Sequence, residues 1–96
     1  MSVLVLLEAK AKPENVSELS GALAELFPGT RAYDGCIDIT AYLNDDGQTF
    51  VFIENWESKE QYEKYLAWRT ETGVMEKLAS LLAEPASIRY FDTVAA

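Results

Sequence analysis

The segment from Gln48 to Leu66 constrains the fold of this chain more than any other. Its first half alternates so that both faces are apolar: Phe50, Phe52 and Trp56 share one side with Glu54, and Val51 and Ile53 share the other, ending at Asn55. A period of two is a strand, and a strand apolar on both sides needs cover on both. The second half turns helical at once. Ser58 stands where a side chain can cap a first turn, and Gln61, three residues on, completes a capping box. Tyr62, Tyr65, Leu66 and Arg69 then fall on one helical face. A strand ending in tryptophan therefore runs directly into a helix carrying two tyrosines.

The rest of the chain supplies the cover. Val3 to Ala11 alternates as a strand, with Val3, Val5, Leu7 and Ala9 on one face and Leu4, Leu6, Glu8 and Lys10 on the other. Pro13 suits the first position of a helix, and Val16, Leu19, Leu23, Leu26 and Phe27 follow at helical spacing. Pro28-Gly29 predicts the end of that helix, and Thr30 to Gly35 a loop containing Arg31 and Tyr33. Cys36 to Asn44 reads as a second strand, with Ile37, Ile39, Ala41 and Leu43 alternating against Cys36, Asp38, Thr40 and Tyr42. Asn44-Asp45-Asp46-Gly47 is a turn, so the second and third strands form a hairpin. Thr72-Gly73 breaks the helix that began at Ser58. Val74, Leu78, Leu81 and Leu82 mark a further helical piece, ended by Glu84-Pro85, and Ser87 to Val94 is the last strand. The order βαββαβ is that of an α+β, ferredoxin-like fold with both helical regions on one face of a four-stranded antiparallel sheet. The other face, apolar on strands one and three, is expected to pack on a second copy in a two-fold homodimer.

Bulk properties exclude several classes of function. The chain of 96 residues is read as one domain, residues 1–96, with a modest core. A net charge of −8 argues against nucleic acid or an anionic membrane as partner. No apolar run approaches a membrane span. The start, Met1-Ser2-Val3-Leu4-Val5, has no basic region and reads as a strand, not a leader. The single cysteine, Cys36, cannot form an internal disulfide, which suits the cytoplasm. There is no histidine, which removes the commonest general base and metal ligand together, so neither a metal nor haem is expected. No Gly-x-Gly-x-x-Gly occurs among the five glycines, so no flavin is expected either.

With the order βαββαβ, the run Gly35-Cys36-Ile37, the run Phe52-Ile53-Glu54-Asn55-Trp56-Glu57-Ser58 and Tyr62 in place, the chain resembles the antibiotic biosynthesis monooxygenase (ABM) family of small dimeric α+β barrels. The resemblance covers essentially the whole chain. Its most specific part is Glu-x-Trp-x-Ser, here Glu54, Trp56 and Ser58, entering an amphipathic helix. The family includes oxygenases that convert polycyclic phenols or anthrone-like compounds to quinones without metal or flavin. The resemblance therefore implies a cofactor-independent monooxygenase acting on a small aromatic, quinol-like molecule and molecular oxygen. In such an enzyme the substrate is deprotonated and passes an electron to oxygen, while the protein supplies a dry pocket and stabilises the anion. In some oxygenating members a strand-three tryptophan is followed six residues later by a tyrosine, and Trp56 and Tyr62 match that spacing. Other members, haem-degrading ones among them, carry a histidine on this helix where this chain has Tyr65. Some oxygenating members place an amide side chain four residues before the tryptophan, where this chain has Phe52. The family also contains an isomerase and proteins of no established activity.

Each candidate has a structural reading beside its functional one. Trp56, Tyr62 and Tyr65 are the catalytic candidates, presenting an indole N–H and two hydroxyls to one cavity; the alternative is that all three only fill the core. Tyr33, Phe52, Glu54, Asn55 and Arg69 are the substrate-binding candidates. Glu54 is the best carboxylate base on offer if burial raises its pKa, or else a structural hydrogen-bonding partner. Arg69 steers an anionic substrate or pairs at the surface with Glu63 or Glu76. Asn55 lines the pocket or is satisfied by the backbone. Trp68 is expected to face away from the Tyr65 stripe and to serve the dimer contact. Cys36 is read as a small strand filler. Two further functions stay open: an isomerase or other proton-transfer enzyme using the same pocket, and a non-catalytic small-molecule binder or stress-related dimeric module.

Overall fold

A computed structural model describes residues 2–96. The elements run β1 (Val3–Lys10), a 3-10 turn (Pro13–Asn15), α1 (Val16–Ala32), β2 (Cys36–Leu43), β3 (Thr49–Trp56), α2 (Lys59–Glu71), α3 (Val74–Ser80) and β4 (Ser87–Phe91). The strands form one antiparallel sheet in the order β2-β3-β1-β4. This is the α+β, ferredoxin-like arrangement expected from the element order. Register places Val3 opposite Trp56, Val5 opposite Glu54 and Leu7 opposite Phe52, so the inward residues of the two central strands stack in rows beneath the helices.

The hairpin between β2 and β3 closes as the turn residues require. Gly47 takes φ 73°, and Asp46 accepts from the backbone N–H groups of Gln48 and Thr49 and from the Thr49 hydroxyl. Those bonds, the Thr49 hydroxyl first, hold the Asp46 carboxyl below its usual pKa. Ser58 caps α2 by accepting from the Gln61 N–H at 3.2 Å. The return half of the box differs from the usual pattern: the Ser58 hydroxyl donates to the Gln61 side-chain oxygen at 2.9 Å.

Three sequence expectations need correction. Pro28-Gly29 does not end α1, which continues to Ala32. Pro28 removes one intrahelical N–H, whose acceptor would be Ala24 on the exposed side, where water can serve the carbonyl. The following turn is held from outside: Arg69 on α2 donates to the Leu26 carbonyl at 2.8 Å, and Thr30 is fully buried. Consequently Arg31 lies on the helix, donating to the Ile39 carbonyl at 3.2 Å, and not in a loop. In β2 a bulge between Cys36 and Asp38 shifts the alternation, so Cys36 joins Ile39 and Ala41 on the covered face while Ile37 turns outward and is 53% exposed. Finally, β4 stops at Phe91, opposite Leu4, and does not reach Val94.

Beneath the helices the covered face divides into two clusters. One is mainly aliphatic and contains Leu7, Leu19, Leu23, Phe27, Ile39 and Phe50, with Phe27 and Phe52 meeting edge to face. The other is mainly aromatic, built on Val3, Val5, Trp56 and Tyr62, with Tyr33, Tyr65 and Leu66 against it. The opposite sheet face carries half-buried Leu4, Leu6, Val51 and Ile53, flanked by exposed Tyr42 and Phe91.

Candidate functional site

The aromatic cluster sits where β3 runs into α2. Trp56 is completely buried at the strand end. Capping at Ser58 starts α2 immediately, so the first turn returns over the sheet and brings Tyr62 edge to face with Trp56, centroids 5.4 Å apart. Tyr65 lies 5.1 Å from Trp56 and Tyr33 5.4 Å from Tyr65. Tyr33 reaches the cluster because the chain reverses at Gly35, with φ 96° and a carbonyl that accepts from the Glu57 N–H at 2.8 Å. A Cβ at Gly35 would come within 2.7 Å of the Gln61 side chain, so only glycine fits.

Of the three donors expected to face a cavity, one is free. The Trp56 indole N–H donates to Glu54 Oε1 at 3.0 Å. Tyr65 is held in a chain: Arg69 Nε donates to its hydroxyl at 3.1 Å, and the hydroxyl lies 2.7 Å from Thr30 Oγ1. Thr30 donates to the Leu26 carbonyl, so Tyr65 donates to Thr30. The Tyr62 hydroxyl is buried with no partner among the described residues. A buried hydroxyl without a partner is unfavourable, and such groups mark places where a water or ligand atom belongs.

Glu54 projects from the middle of β3 and is buried. Burial raises its carboxyl from the ordinary 4.5 to about 7; the Trp56 hydrogen bond pulls the other way and is the smaller effect. Burial first, then the charge of Glu54, pushes the Tyr62 phenol far above its ordinary range. Tyr62 therefore remains a hydroxyl donor at any ordinary pH, and Glu54 can take or release a proton near neutrality. Cys36, next to this cluster, is pushed up to about 11 by burial and then by Glu54 and Asp38, so it is an inert filler.

Arg69 is buried and does not pair with Glu63 or Glu76. Among the described residues the only ion pair is Arg89 with Glu8, at 3.6 Å on the open face of the sheet. The guanidinium is instead satisfied by the Leu26 carbonyl, Thr30 and Tyr65, and lies 4.4 Å from the centre of the Trp68 ring. Trp68 does not turn away from the tyrosines: it stacks on Tyr33 at 5.3 Å and 26°. Its spacing of three residues from Tyr65 carried that information, since i and i+3 are neighbours on a helix. Thr30 was missed altogether, hidden behind a Pro-Gly pair that looked like a helix stop.

Glu54, Tyr62, Tyr65, Arg69, Thr30 and Phe52 border one cavity of about 40 Å³, which α3 closes through Val74, Met75 and Leu78. Tyr33 packs over the aromatic rings beside it. Asn55 is not brought to this place. It points to the other side of the sheet and donates to Asp38 at 2.9 Å, as its position one residue out of phase with Glu54 and Trp56 dictates. A larger concavity, about 620 Å³, lies between α1 and β2, but none of the buried titratable groups borders it. No group of three His, Cys, Asp or Glu side chains among the described residues could hold a metal ion. No helix among them is long and apolar enough to cross a membrane.

The family described as antibiotic biosynthesis monooxygenase matches residues 2–71, which includes every candidate site residue. Several solved structures share the fold. The protein Rv0793 of Mycobacterium tuberculosis superposes with a TM-score of 0.87 at 22% identity, over 100% of this chain and 98% of that one. A monooxygenase from the ActVA-Orf6 gene of Streptomyces coelicolor, in complex with the ligand Nanaomycin D, gives 0.83 at 20% identity, over 99% and 89%. The protein NE2512 of Nitrosomonas europaea, of unknown function, gives 0.82 at 23%, over 99% and 91%.

Proposed function

The chain belongs to the antibiotic biosynthesis monooxygenase family, and from that premise we propose that it is a cofactor-independent monooxygenase acting on a small phenolic, quinol-like molecule. The observation that carries the reading is the pairing of a carboxyl raised to about 7 with a buried, unpartnered tyrosine hydroxyl on one cavity. Glu54 accepts the proton of the substrate. Trp56 keeps Glu54 Oε1 in place and does not itself bind substrate. Tyr62 donates to the substrate oxygen as negative charge develops there, in a site that excludes water. The electron-rich anion then reduces dioxygen. One oxygen atom becomes a quinone carbonyl at a ring carbon, and the other leaves as water with the hydrogen of that carbon and the acidic proton that Glu54 had accepted. No electrons are needed from elsewhere.

The cavity of about 40 Å³ has room for a water-sized group and not for a ring. Space for the ring arises when α3 moves aside: it is one short helix, joined to α2 through Gly73 at φ 81°. Tyr65, Arg69 and Thr30 form the fixed wall. Two copies pack through the apolar face of Leu4, Leu6, Val51 and Ile53, giving a homodimer whose sedimenting mass is twice that of the chain.

Oxygen uptake with a panel of anthrones and hydroquinones tests the chemistry. Turnover is expected without added metal or flavin, and Glu54→Gln, which keeps an acceptor for the Trp56 N–H, is expected to lower it by about 10²–10⁴-fold. Ligand-induced stabilisation without oxygen uptake across the panel would overturn the reading in favour of a binding protein.

A further inference from the structure

A second cavity, about 80 Å³, adjoins the candidate site. Leu7, Phe52 and Met75 border both, and Ala9, Leu19 and Leu82 belong to the second alone. We propose that this second cavity is the dioxygen site of the protein, an inference that rests on the monooxygenase reading given above. Three features support it.

The first is chemistry. All the side chains around the cavity are hydrocarbon or thioether, and the backbone of β1 beneath it is committed to the ladders with β3 and β4. The wall offers a water no hydrogen-bonding side chain, whereas dioxygen needs none. The second is size. The volume exceeds the roughly 30 Å³ share of one liquid water and falls well below the roughly 300 Å³ of a site for a drug-sized molecule. It suits a diatomic gas and excludes the organic substrate. The third is position. Phe52 and Glu54 are alternate residues on the same face of β3, so gas held behind the Phe52 ring stands one side chain from the cavity of Glu54 and Tyr62. An apolar store beside the anion, with no polar side chain of its own, keeps the oxidant next to the reacting carbon.

The test uses the whole chain with labelled methyl groups under raised oxygen pressure. Paramagnetic relaxation is expected to be several-fold stronger at the methyls of Leu19, Leu82 and Met75 than at Val94, which is 81% exposed and samples dissolved oxygen only. Ala9→Val narrows the cavity from the sheet side and is expected to cut the enhancement at Leu19 several-fold. The same variant is expected to raise the KM for oxygen several-fold while leaving the KM for the phenol unchanged. Relaxation at Leu19 and Leu82 no stronger than at Val94 in the unaltered protein overturns the proposal, even where oxygen uptake is measured. Strong relaxation that Ala9→Val removes supports it, even before any phenol is found to turn over.

Discussion

The two clusters beneath the helices share one sheet, but α1 and α3 cover the aliphatic one and α2 the aromatic one, and they are built to opposite specifications. The buried members of the aliphatic cluster around Leu19, Phe27 and Phe50 are all hydrocarbon, with half-buried Cys36 packed against them. The aromatic cluster around Trp56 and Tyr62 encloses a carboxyl, and the buried guanidinium of Arg69 lies beside it. The first can be understood by area removed from water alone. The second contains groups that are unfavourable to bury, one of them an orphan hydroxyl, and the fold tolerates them because the first cluster anchors the sheet. The division lets a small chain keep a stressed site without losing its structure.

Phe50→Ala should show that anchoring role most clearly. Phe50 is 5% exposed, and truncating a buried phenylalanine costs about 3–5 kcal/mol of stability. A large fall in melting temperature is expected, with turnover per folded molecule unchanged. A variant that melts normally but turns over slowly would dissolve the distinction between the two halves.

Tyr62→Phe should do the reverse. It removes only the orphan hydroxyl, so stability holds or rises. Loss of a donor to the developing anion should lower turnover by about 10²–10³-fold. Full activity in this variant would remove Tyr62 from the site.

The pH dependence of stability should also come from the aromatic half. Between 4.5 and about 7 the folded chain keeps the Glu54 proton that the unfolded chain has released. The folded state thus binds more protons across that window, and its stability falls as pH rises through it, then levels off above about 7. The loss over the whole interval is on the order of 3–4 kcal/mol, from roughly 1.4 kcal/mol for each pH unit. Melting temperatures from pH 5 to 8 should show this slope in the natural chain and lose it in Glu54→Gln. A slope that survives the substitution assigns the titration to another group.

The smallest effect is expected from Tyr65→Phe, which leaves Arg69 Nε and Thr30 short of a partner. A destabilisation of about 1–3 kcal/mol should accompany any fall in turnover. Tyr62→Phe and Tyr65→Phe would then differ in sign on stability, although the two residues look alike in sequence.

What the sequence determined alone was everything that repeats with a short period. The strand from Phe50 to Trp56, the Ser58 cap, the Asn44–Gly47 hairpin and the break at Gly73 are local, and their side chains meet the backbone within a few residues. That was enough for the element order and the hairpin of β2 with β3, for both apolar faces, and for placing Trp56, Tyr62 and Tyr65 together. Tertiary structure decided which polar atom satisfies which. Thr30 and Arg69 are 39 residues apart, yet their contact carries α1 through Pro28 and occupies the Tyr65 hydroxyl. The bulge after Cys36 exchanged Ile37 for Cys36 on the covered face. Whether Tyr62 or Tyr65 keeps a free hydroxyl depends on the Thr30 acceptor brought from α1, on the Arg69 donor of α2 and on the depth of burial. Hydrogen bonding at long range is directional and exclusive, so it leaves no periodic trace along the chain.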